Sequence, residues 1–262
     1  MNKQSEKGIS YLDFTWNCLT GCLHPCKDKY CYAAKIARRF GSPIDPKGVS
    51  ALHELDKPVN KITRAGDMMV DPYPYGFEPT FHRYRLGEPA KKKQPSIIGV
   101  VYMGDLFGAW VPESWIQEVF KACEEAPQHQ YLFLTKNPLR YGELNNGMGV
   151  PDRPNFWYGS TITKEGDPFA CVKTPMPHQS HYFVSIEPLL QGVSDLTTLS
   201  YVDWVILGQQ TGPGSVPPEP DWVEAIISQC RSSGVPVFVK RPLFGQFPIQ
   251  EWPDGLRRGV SI

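Results

Sequence analysis

Short apolar segments alternate with helical patterns along the part of the chain that follows residue 95. The apolar segments predict strands, and the stretches with apolar residues along one side predict helices. The predicted strands are 96–103, 131–134, 156–162, 182–187, 204–209 and 236–240, and the predicted helices are 112–123, 221–230, one through 140–141 and a weak one at 168–173. Buried strands that alternate with helices form a parallel sheet. Together with a strand ending at Trp16, these six or seven βα units predict an α/β fold, a partial or complete (β/α) TIM-like barrel rather than an open doubly wound sheet.

A polar residue stands at or just after the end of nearly every predicted strand. These residues are Asn17, Asp105, Lys136, Thr161, Glu187, Gln209 and Lys240. In (β/α) barrels the carboxyl ends of the strands form the rim that carries the chemistry, so we expect these side chains around one mouth. A simpler interpretation is that polar residues merely end strands, but their recurrence at every junction favours the barrel.

The chain has 262 residues, which is enough to bury a full core, and we expect a single domain over 1–262. Between about residues 42 and 95 the sequence is irregular and rich in proline, glycine and charge. This pattern predicts an insertion after the first helix rather than a second domain.

The charge of the chain is balanced, with 27 lysines and arginines, 27 aspartates and glutamates, and a formal net charge of +0. A neutral chain has no overall attraction to nucleic acid or anionic lipid. Two local basic stretches, 35–39 and 91–93, are either contact surfaces or solvated faces. No apolar run is long enough to span a bilayer, and the first residues lack the apolar core of a signal peptide. We therefore expect a cytoplasmic protein with no membrane partner.

Four of the seven cysteines fall within fourteen positions, just before a predicted helix at 33–40. In a reducing compartment, clustered cysteines bind metal or do redox work more often than they form disulfides. Three ligand sets are open: Cys22, Cys26 and Cys31; Cys18, Cys22 and Cys26; or all four cysteines around zinc. Three thiolates leave one iron of a cubane cluster open to a substrate or cofactor, whereas four thiolates close the site.

The cysteine loop resembles that of the radical S-adenosylmethionine superfamily, whose usual pattern is C-x3-C-x-aromatic-C directly after the first barrel strand. Tyr30 supplies the aromatic residue before Cys31, and Cys31-Tyr32-Ala33 opens a helix as in that pattern. This resemblance favours Cys22, Cys26 and Cys31 as the ligand set. One departure is that four residues separate Cys26 from Cys31, where the superfamily normally has two. The extra residues either bulge outward with the cluster kept or mark its loss.

Further motifs are similar to those of an uncharacterised branch of radical-SAM-like proteins found in phages and prokaryotes, and more distantly to spore photoproduct lyase, a radical enzyme that acts on DNA. These motifs lie at 15–17, 21–22, 31–33, 103–108, 133–138, 185–189, 208–212 and 234–240. They run from residue 14 to about residue 243, nearly the whole chain.

The resemblance implies a [4Fe–4S] cluster on Cys22, Cys26 and Cys31, with S-adenosylmethionine on its open iron. In that superfamily, one-electron cleavage of the sulfonium gives a 5′-deoxyadenosyl radical, which abstracts hydrogen from a substrate. By the same resemblance, Gly104 lets the backbone approach the cofactor, and Asp105 accepts hydrogen bonds from its amino group. The other cofactor-binding candidates are Ser185 and Glu187, for the ribose or methionyl carboxylate region, and Tyr30 and Tyr32, for adenine.

Lys136 and Glu187 are the candidate catalytic residues. Thr161, Gln209 and Lys240 are further candidates for substrate contact, and each is also explained as a strand-end hydrogen-bonding residue. His24 is either a ligand, a residue that supports a ligand, or a solvated loop residue. The other cysteines, Cys123, Cys171 and Cys230, are expected to be packing residues.

The expected partners are an unknown substrate and an external electron donor such as a flavodoxin or ferredoxin, and the chain is expected to be a monomer. Nucleic acid is the favoured substrate class, because of the likeness to photoproduct lyase and the basic stretches. Two other functions stay open. One is a non-catalytic binding module, associated with phage or defence systems, that holds zinc with four cysteines. The other is a degenerate barrel without metal.

Overall fold

The structure is a computed structural model that describes residues 1–6, 8–42, 51–63, 65–147, 149–167, 179–194, 196, 199, 201–212 and 214–256. The strands are β1 (Asn2–Lys3), β2 (Phe14–Trp16), β3 (Leu19–Thr20), β4 (His53–Leu55), β5 (Asn60–Ile62), β6 (Met68–Val70), β7 (Thr80–His82), β8 (Ile97–Val100), β9 (Gln130–Thr135), β10 (Phe156–Ile162), β11 (His181–Ile186), β12 (Trp204–Leu207) and β13 (Val237–Val239). The α-helices are α1 (Tyr32–Phe40), α2 (Glu88–Lys91), α3 (Glu113–Glu124), α4 (Arg140–Gly147) and α5 (Pro220–Ser232). Short 3₁₀ turns cover Pro25–Asp28, Arg83–Arg85 and Leu243–Gly245. None of the described helices combines the length and apolarity that crossing a bilayer requires.

Eight strands form one sheet in the order β1-β2-β8-β9-β10-β11-β12-β13. β1 pairs with β2 in antiparallel orientation, and every other neighbouring pair is parallel. The strands are apolar runs because both faces of the sheet are covered, and every residue of β8, β10 and β12 is buried. The predicted strand 156–162 is confirmed as β10, residue for residue.

The predicted (β/α) TIM-like barrel is wrong, because the large sheet is open. Closure would require the first and last strands to pair, but each edge meets a different short segment. β1 covers one edge, and a single antiparallel bridge between Phe238 and Gln250 covers the other. Five α-helices in the described residues are also too few to form the continuous outer ring of a barrel. The predicted weak helix at 168–173, and Cys171 with it, lies outside the described residues.

Alternate side chains of the parallel strands build a core on each face of the sheet. On one face, Phe133, Phe156 and Tyr158 pack with Phe120 of α3. On the other face, one cluster contains Leu132, Trp157, Phe183, Ile206 and Phe238, together with Tyr11, Leu12 and Leu256. This second face is therefore filled by segments from near both ends of the described chain.

The segment at 42–95 is less irregular than its sequence suggests. β7 lies between β3 and β4 in a three-stranded sheet, and β5 and β6 form a separate hairpin. All three residues of β7 are buried, and the Phe81 ring stacks on Trp115 of α3 with 5.1 Å between ring centroids. The insertion is thus packed against the main body of the fold at β7.

Candidate functional site

A cavity of about 640 Å³ lies at the carboxyl ends of the parallel strands. Its volume is within the range of about 300–1,000 Å³ that small-molecule and cofactor sites occupy. All ten residues that the sequence suggested for catalysis, cofactor binding or metal binding line it: Cys22, Cys26, Tyr30, Cys31, Tyr32, Gly104, Asp105, Lys136, Ser185 and Glu187. His24, Thr161, Gln209 and Lys240 line it too. Parallel strands bring their carboxyl ends to one edge in an open sheet as in a barrel, so these residues meet although the barrel does not form.

The cysteine loop places three free thiols on this cavity. Cys22 follows the bridge between Gly21 and Gly104, and its sulfur accepts a hydrogen bond from the backbone N of His24 at 3.4 Å. Cys26 lies in the 3₁₀ turn, and its carbonyl accepts from the backbone N of Cys31 at 3.2 Å. Cys31 is the N-cap residue of α1, so its sulfur lies at the positive end of a helix.

Contacts among these residues set the protonation of the three thiols. The Cys26 thiol donates a hydrogen bond to the Cys31 sulfur, which lowers the pKa of Cys31 to about 6; the backbone amides of Ala34 and Ala33 and the charge of Lys136 act in the same direction, against burial. The same contact, with burial, raises the pKa of Cys26 well above its usual range. Burial, together with the Asp105 carboxylate, raises the pKa of Cys22 to about 12.

In the described part of the chain, no three His, Cys, Asp or Glu side chains are arranged to hold a single metal ion. A single zinc ion requires its sulfur ligands to converge to about 2.3 Å from one point. In a cubane cluster, each thiolate binds a separate iron. Cys22, Cys26 and Cys31 line one cavity, and Lys136 lines it as well.

Cys18 is fully buried in the hydrophobic core and is not among the cavity residues. Burial raises the pKa of its thiol to about 12. The two ligand sets that include Cys18, the triplet with Cys22 and Cys26 and the zinc site with four cysteines, would therefore have to draw on a side chain outside this cavity. Three cysteines of the loop, Cys22, Cys26 and Cys31, line the cavity.

The Asp105 carboxylate is 3% exposed and takes part in four hydrogen bonds with protein groups. Oδ1 accepts from the backbone N of Phe107 at 3.0 Å and from Thr135 Oγ1 at 2.7 Å. Oδ2 accepts from the backbone N of Lys136 at 3.0 Å and bonds with His24 Nε2 at 2.8 Å. A carboxylate has about four lone-pair sites, so these partners fill it. These hydrogen bonds make Asp105 a positioning residue that ties the segment after β8 to β9 and to the cysteine loop. Its predicted role as acceptor for a cofactor amino group stays a prediction.

Gly104 is also explained by a contact within the protein. A Cβ atom at position 104 would lie 2.7 Å from the carbonyl oxygen of Gly21 and 2.9 Å from Leu19 Cδ2. Gly21 has a φ of +84°, and a Cβ atom there would lie 2.2 Å from the Glu78 carbonyl oxygen. The close approach to Gly21 is thus one reason for a glycine at position 104, and the predicted approach of the Gly104 backbone to a cofactor stays a prediction.

The two tyrosines of the cysteine loop do different things. Tyr32 is 48% exposed, and its hydroxyl donates to the Tyr102 carbonyl oxygen at 2.6 Å. Burial around that hydroxyl raises the pKa of Tyr32. The Tyr30 side chain hydrogen-bonds with Thr163, just beyond β10, so it connects the cysteine loop to the carboxyl end of β10. Of the two tyrosines, Tyr32 is therefore the one that is exposed while its hydroxyl hydrogen bond fixes the position of the ring.

Glu187 and Lys240 form an ion pair between the ends of β11 and β13. The Lys240 ammonium also lies 5.6 Å from the centroid of the Tyr11 ring. The Glu187 side chain occupies the space over Gly208, where an added Cβ atom would lie 2.8 Å from Glu187 Cδ. The pair gives the cavity a proton acceptor and a cation side by side.

Two further polar groups at the cavity lack such partners. The Ser185 residue is 1% exposed, and its Oγ has no hydrogen-bond partner within the described ranges. The Lys136 ammonium, which also lines the cavity, forms no ion pair with any carboxylate among the residues that the structure describes. Because a buried polar group left unpaired costs about 1–3 kcal/mol, Ser185 is a position where a ligand would gain a hydrogen bond.

Tyr11 and Gln210 line the cavity but were not selected from the sequence. Gln210 directly follows Gln209, so the pattern of polar strand ends could have included it. Tyr11 precedes β2, and no local pattern relates it to Lys240, which only the folded chain brings over its ring.

Comparison with known proteins identifies a family but no activity. A family model described as a protein of unknown function, DUF5131, matches residues 6–253. No curated protein matches the chain, and no solved structure matches it. Function must therefore be argued from the cavity itself.

Proposed function

We propose that this chain, which belongs to the DUF5131 family of proteins of unknown function, is a radical S-adenosylmethionine enzyme with one [4Fe–4S] cluster. The observation that supports this most strongly is that Cys22, Cys26 and Cys31, all free thiols, line one cavity at the carboxyl edge of the sheet. With Cys18 in the core, the ligands number three, which keeps one iron open to a small molecule.

When bound, the cluster supplies the electron that cleaves S-adenosylmethionine and so starts hydrogen abstraction from the substrate. The chain supplies ligation, orientation and exclusion of water. Tyr32, held through its hydroxyl on Tyr102, offers a flat ring for adenine to pack against. The unpaired Ser185 hydroxyl offers a hydrogen bond to a polar edge of the cofactor.

Lys136, Glu187 and Lys240 define the remaining polar part of the cavity. The Lys136 cation favours the ionised form of all three sulfurs and is available to an anionic group of the cofactor or substrate. Glu187, paired with Lys240, accepts a hydrogen bond or a proton from a bound molecule. We assign the protein to the cytoplasm, because thiols stay reduced there.

The test begins with anaerobic purification from cells grown with iron, followed by iron and sulfide analysis. We expect about four irons per chain and broad absorbance near ~400 nm. Dithionite and S-adenosylmethionine should then yield 5′-deoxyadenosine. Alanine at position 22, 26 or 31 should abolish both results, whereas Cys230→Ala, a matched change on the buried side of α5, should preserve them. Wild-type protein that assembles no cluster, or that holds one zinc ion instead, would refute the proposal.

A further inference from the structure

The β5–β6 hairpin turns apolar side chains toward solvent. Its two strands form a sheet of their own and pair with no other described strand. Ile62 of β5 lies opposite Met68 of β6, and Val70 is on the same face because side chains two residues apart in a strand point to one side. The residues Ile62, Met68 and Val70 are 77%, 74% and 46% exposed. Adjacent exposed apolar side chains mark a surface at which a protein associates with something else, whereas single ones do not.

The opposite face of the hairpin attaches it to the rest of the molecule. Lys61, between the two outward positions of β5, donates from Nζ to the Phe40 carbonyl oxygen and to Asp71 Oδ1, the latter at 3.2 Å. Asp71, which follows β6, is 2% exposed and also accepts from Ser42 Oγ and from the backbone N of Tyr73. These polar contacts fix the hairpin through one face, so its apolar face stays outward.

Exposed cations lie next to the hairpin. Arg39 is in the last turn of α1, and its guanidinium is 5.1 Å from the centroid of the Phe40 ring, in the residue that Lys61 binds. Lys35, one turn earlier on α1, and Lys57, just before β5, are exposed as well. Within the described ranges, the side chains of Lys35, Arg39 and Lys57 pair with no carboxylate. The name "hairpin surface" is used here for the apolar and cationic residues together: Ile62, Met68, Val70, Lys35, Arg39 and Lys57.

Charge decides between the possible occupants of the hairpin surface. Its three cations outnumber the one exposed carboxylate of the hairpin turn, Asp67. A second copy of the chain, related by a two-fold axis, would bring the same cations together and repel them. A nucleic acid backbone would satisfy the cations but is bound mainly by charge, which leaves the apolar face unexplained. An anionic lipid surface satisfies both parts, because its headgroups attract cations and its interface takes up apolar side chains.

We propose that the hairpin surface docks on an anionic lipid membrane, with Ile62 and Met68 in the headgroup region and the cations beside the lipid phosphates. This inference does not depend on the proposed function. From the sequence we expected no membrane partner, since the chain has no spanning segment and no net charge. Peripheral attachment requires neither, because it depends on a local apolar contact reinforced by local positive charge. Each part alone binds weakly, so attachment should need both.

The experiment measures flotation of the full chain with vesicles of phosphatidylcholine, either pure or mixed with phosphatidylglycerol. At low salt, the wild type should bind the mixed vesicles and bind the pure ones much more weakly, and added salt should release it. The first variant combines Lys35→Glu, Arg39→Glu and Lys57→Glu. Its control makes the same change of charge at exposed cations elsewhere, with Lys93→Glu, Lys121→Glu and Arg231→Glu. The first variant should bind mixed vesicles at least about tenfold more weakly than wild type, and the control should bind them about as well.

A second pair of variants tests the apolar part. Ile62→Thr with Met68→Thr keeps residues that suit a strand while removing the apolar ends, and it should weaken binding to mixed vesicles by at least about tenfold. The matched control is Tyr201→Thr with Val216→Thr, at residues that are 58% and 75% exposed elsewhere, and it should bind like wild type. Circular dichroism spectra equal to that of wild type would show that every variant is folded.

Several results would overturn the inference. Wild-type protein that does not float with mixed vesicles at low salt would refute it directly. So would binding that the hairpin variants leave unchanged, or that the control variants weaken equally. Light scattering of the protein without vesicles tests the competing occupant: if the wild type is a dimer that Ile62→Thr with Met68→Thr converts to a monomer, a second copy covers the hairpin surface and the membrane inference fails.

Discussion

Removing the Asp105 carboxylate should destabilise the fold, because its partners are buried groups of the protein. In Asp105→Ala, the backbone N of Phe107 and the Thr135 hydroxyl lose their acceptor, and both residues are almost fully buried. Each buried donor left unpaired costs about 1–3 kcal/mol, so the two together predict a loss of about 4 kcal/mol. The two partners of Oδ2 are the His24 ring and the backbone amide of Lys136. Both border the cavity, where water can replace the lost acceptor.

Asp105→Asn should cost less, about 2 kcal/mol, because the amide keeps one oxygen. With that oxygen toward Phe107 and Thr135, the new NH₂ group faces the Lys136 amide, and that hydrogen bond is lost. A neutral His24 ring can accept from the NH₂ group instead.

Urea unfolding at pH 7, followed by tryptophan fluorescence, measures both Asp105 variants against wild type. A loss below about 1 kcal/mol in Asp105→Ala would contradict the positioning role, since the two buried donors left unpaired would alone cost more than that. If both variants kept full stability and lost only S-adenosylmethionine binding, Asp105 would be the ligand-binding residue that the resemblance suggested.

Three further predictions concern Cys18, His82 and Gly104. Cys18→Ala should lower the free energy of unfolding by about 1–2 kcal/mol and leave iron content unchanged; iron loss at full stability would return Cys18 to the ligand set. Burial holds the pKa of folded His82 at about 4, against an ordinary value of 6.5. The unfolded chain therefore binds the proton first, and about 3 kcal/mol of stability, present above about pH 6.5, is lost as the pH falls to about 4. In His82→Gln, the free energy of unfolding should fall less steeply than in wild type as the pH is lowered from about 6.5 to about 4. An equal slope in the two proteins would show that His82 is not the group responsible. Gly104→Ala should cost about 2 kcal/mol through its contact with Gly21, measured by the same unfolding assay, and an unchanged midpoint would reject the steric argument.

Most of the parallel sheet could be predicted from the sequence, because strands buried on both faces appear as uninterrupted apolar runs such as 156–162. Barrel closure could not. It depends on what pairs with the outer strands, and here those partners are two polar residues, Asn2 and Lys3, and a single bridge at Gln250. Neither segment has an apolar pattern that indicates a strand. The short strands β4 and β5 were missed for the same reason.

The gathering of the site residues was predictable for a reason that does not require a barrel, since parallel strands end at one edge in either architecture. The choice among cysteine sets was not predictable from spacing alone. Burial of Cys18 outside the cavity favours the set Cys22, Cys26 and Cys31, and burial depends on residues distant in sequence, such as Phe81 and Trp115 in the same core cluster. The role of Asp105 was likewise hidden, because its partners include His24, which is 81 residues away.

Electron paramagnetic resonance of the reduced, reconstituted protein, recorded with and without S-adenosylmethionine, tests most directly whether three thiolates leave one iron free. We predict a cluster signal whose shape changes when S-adenosylmethionine is added, because the sulfonium compound binds the iron that lacks a protein ligand. A signal that the addition leaves unaltered, or no cluster signal at all, would contradict the account.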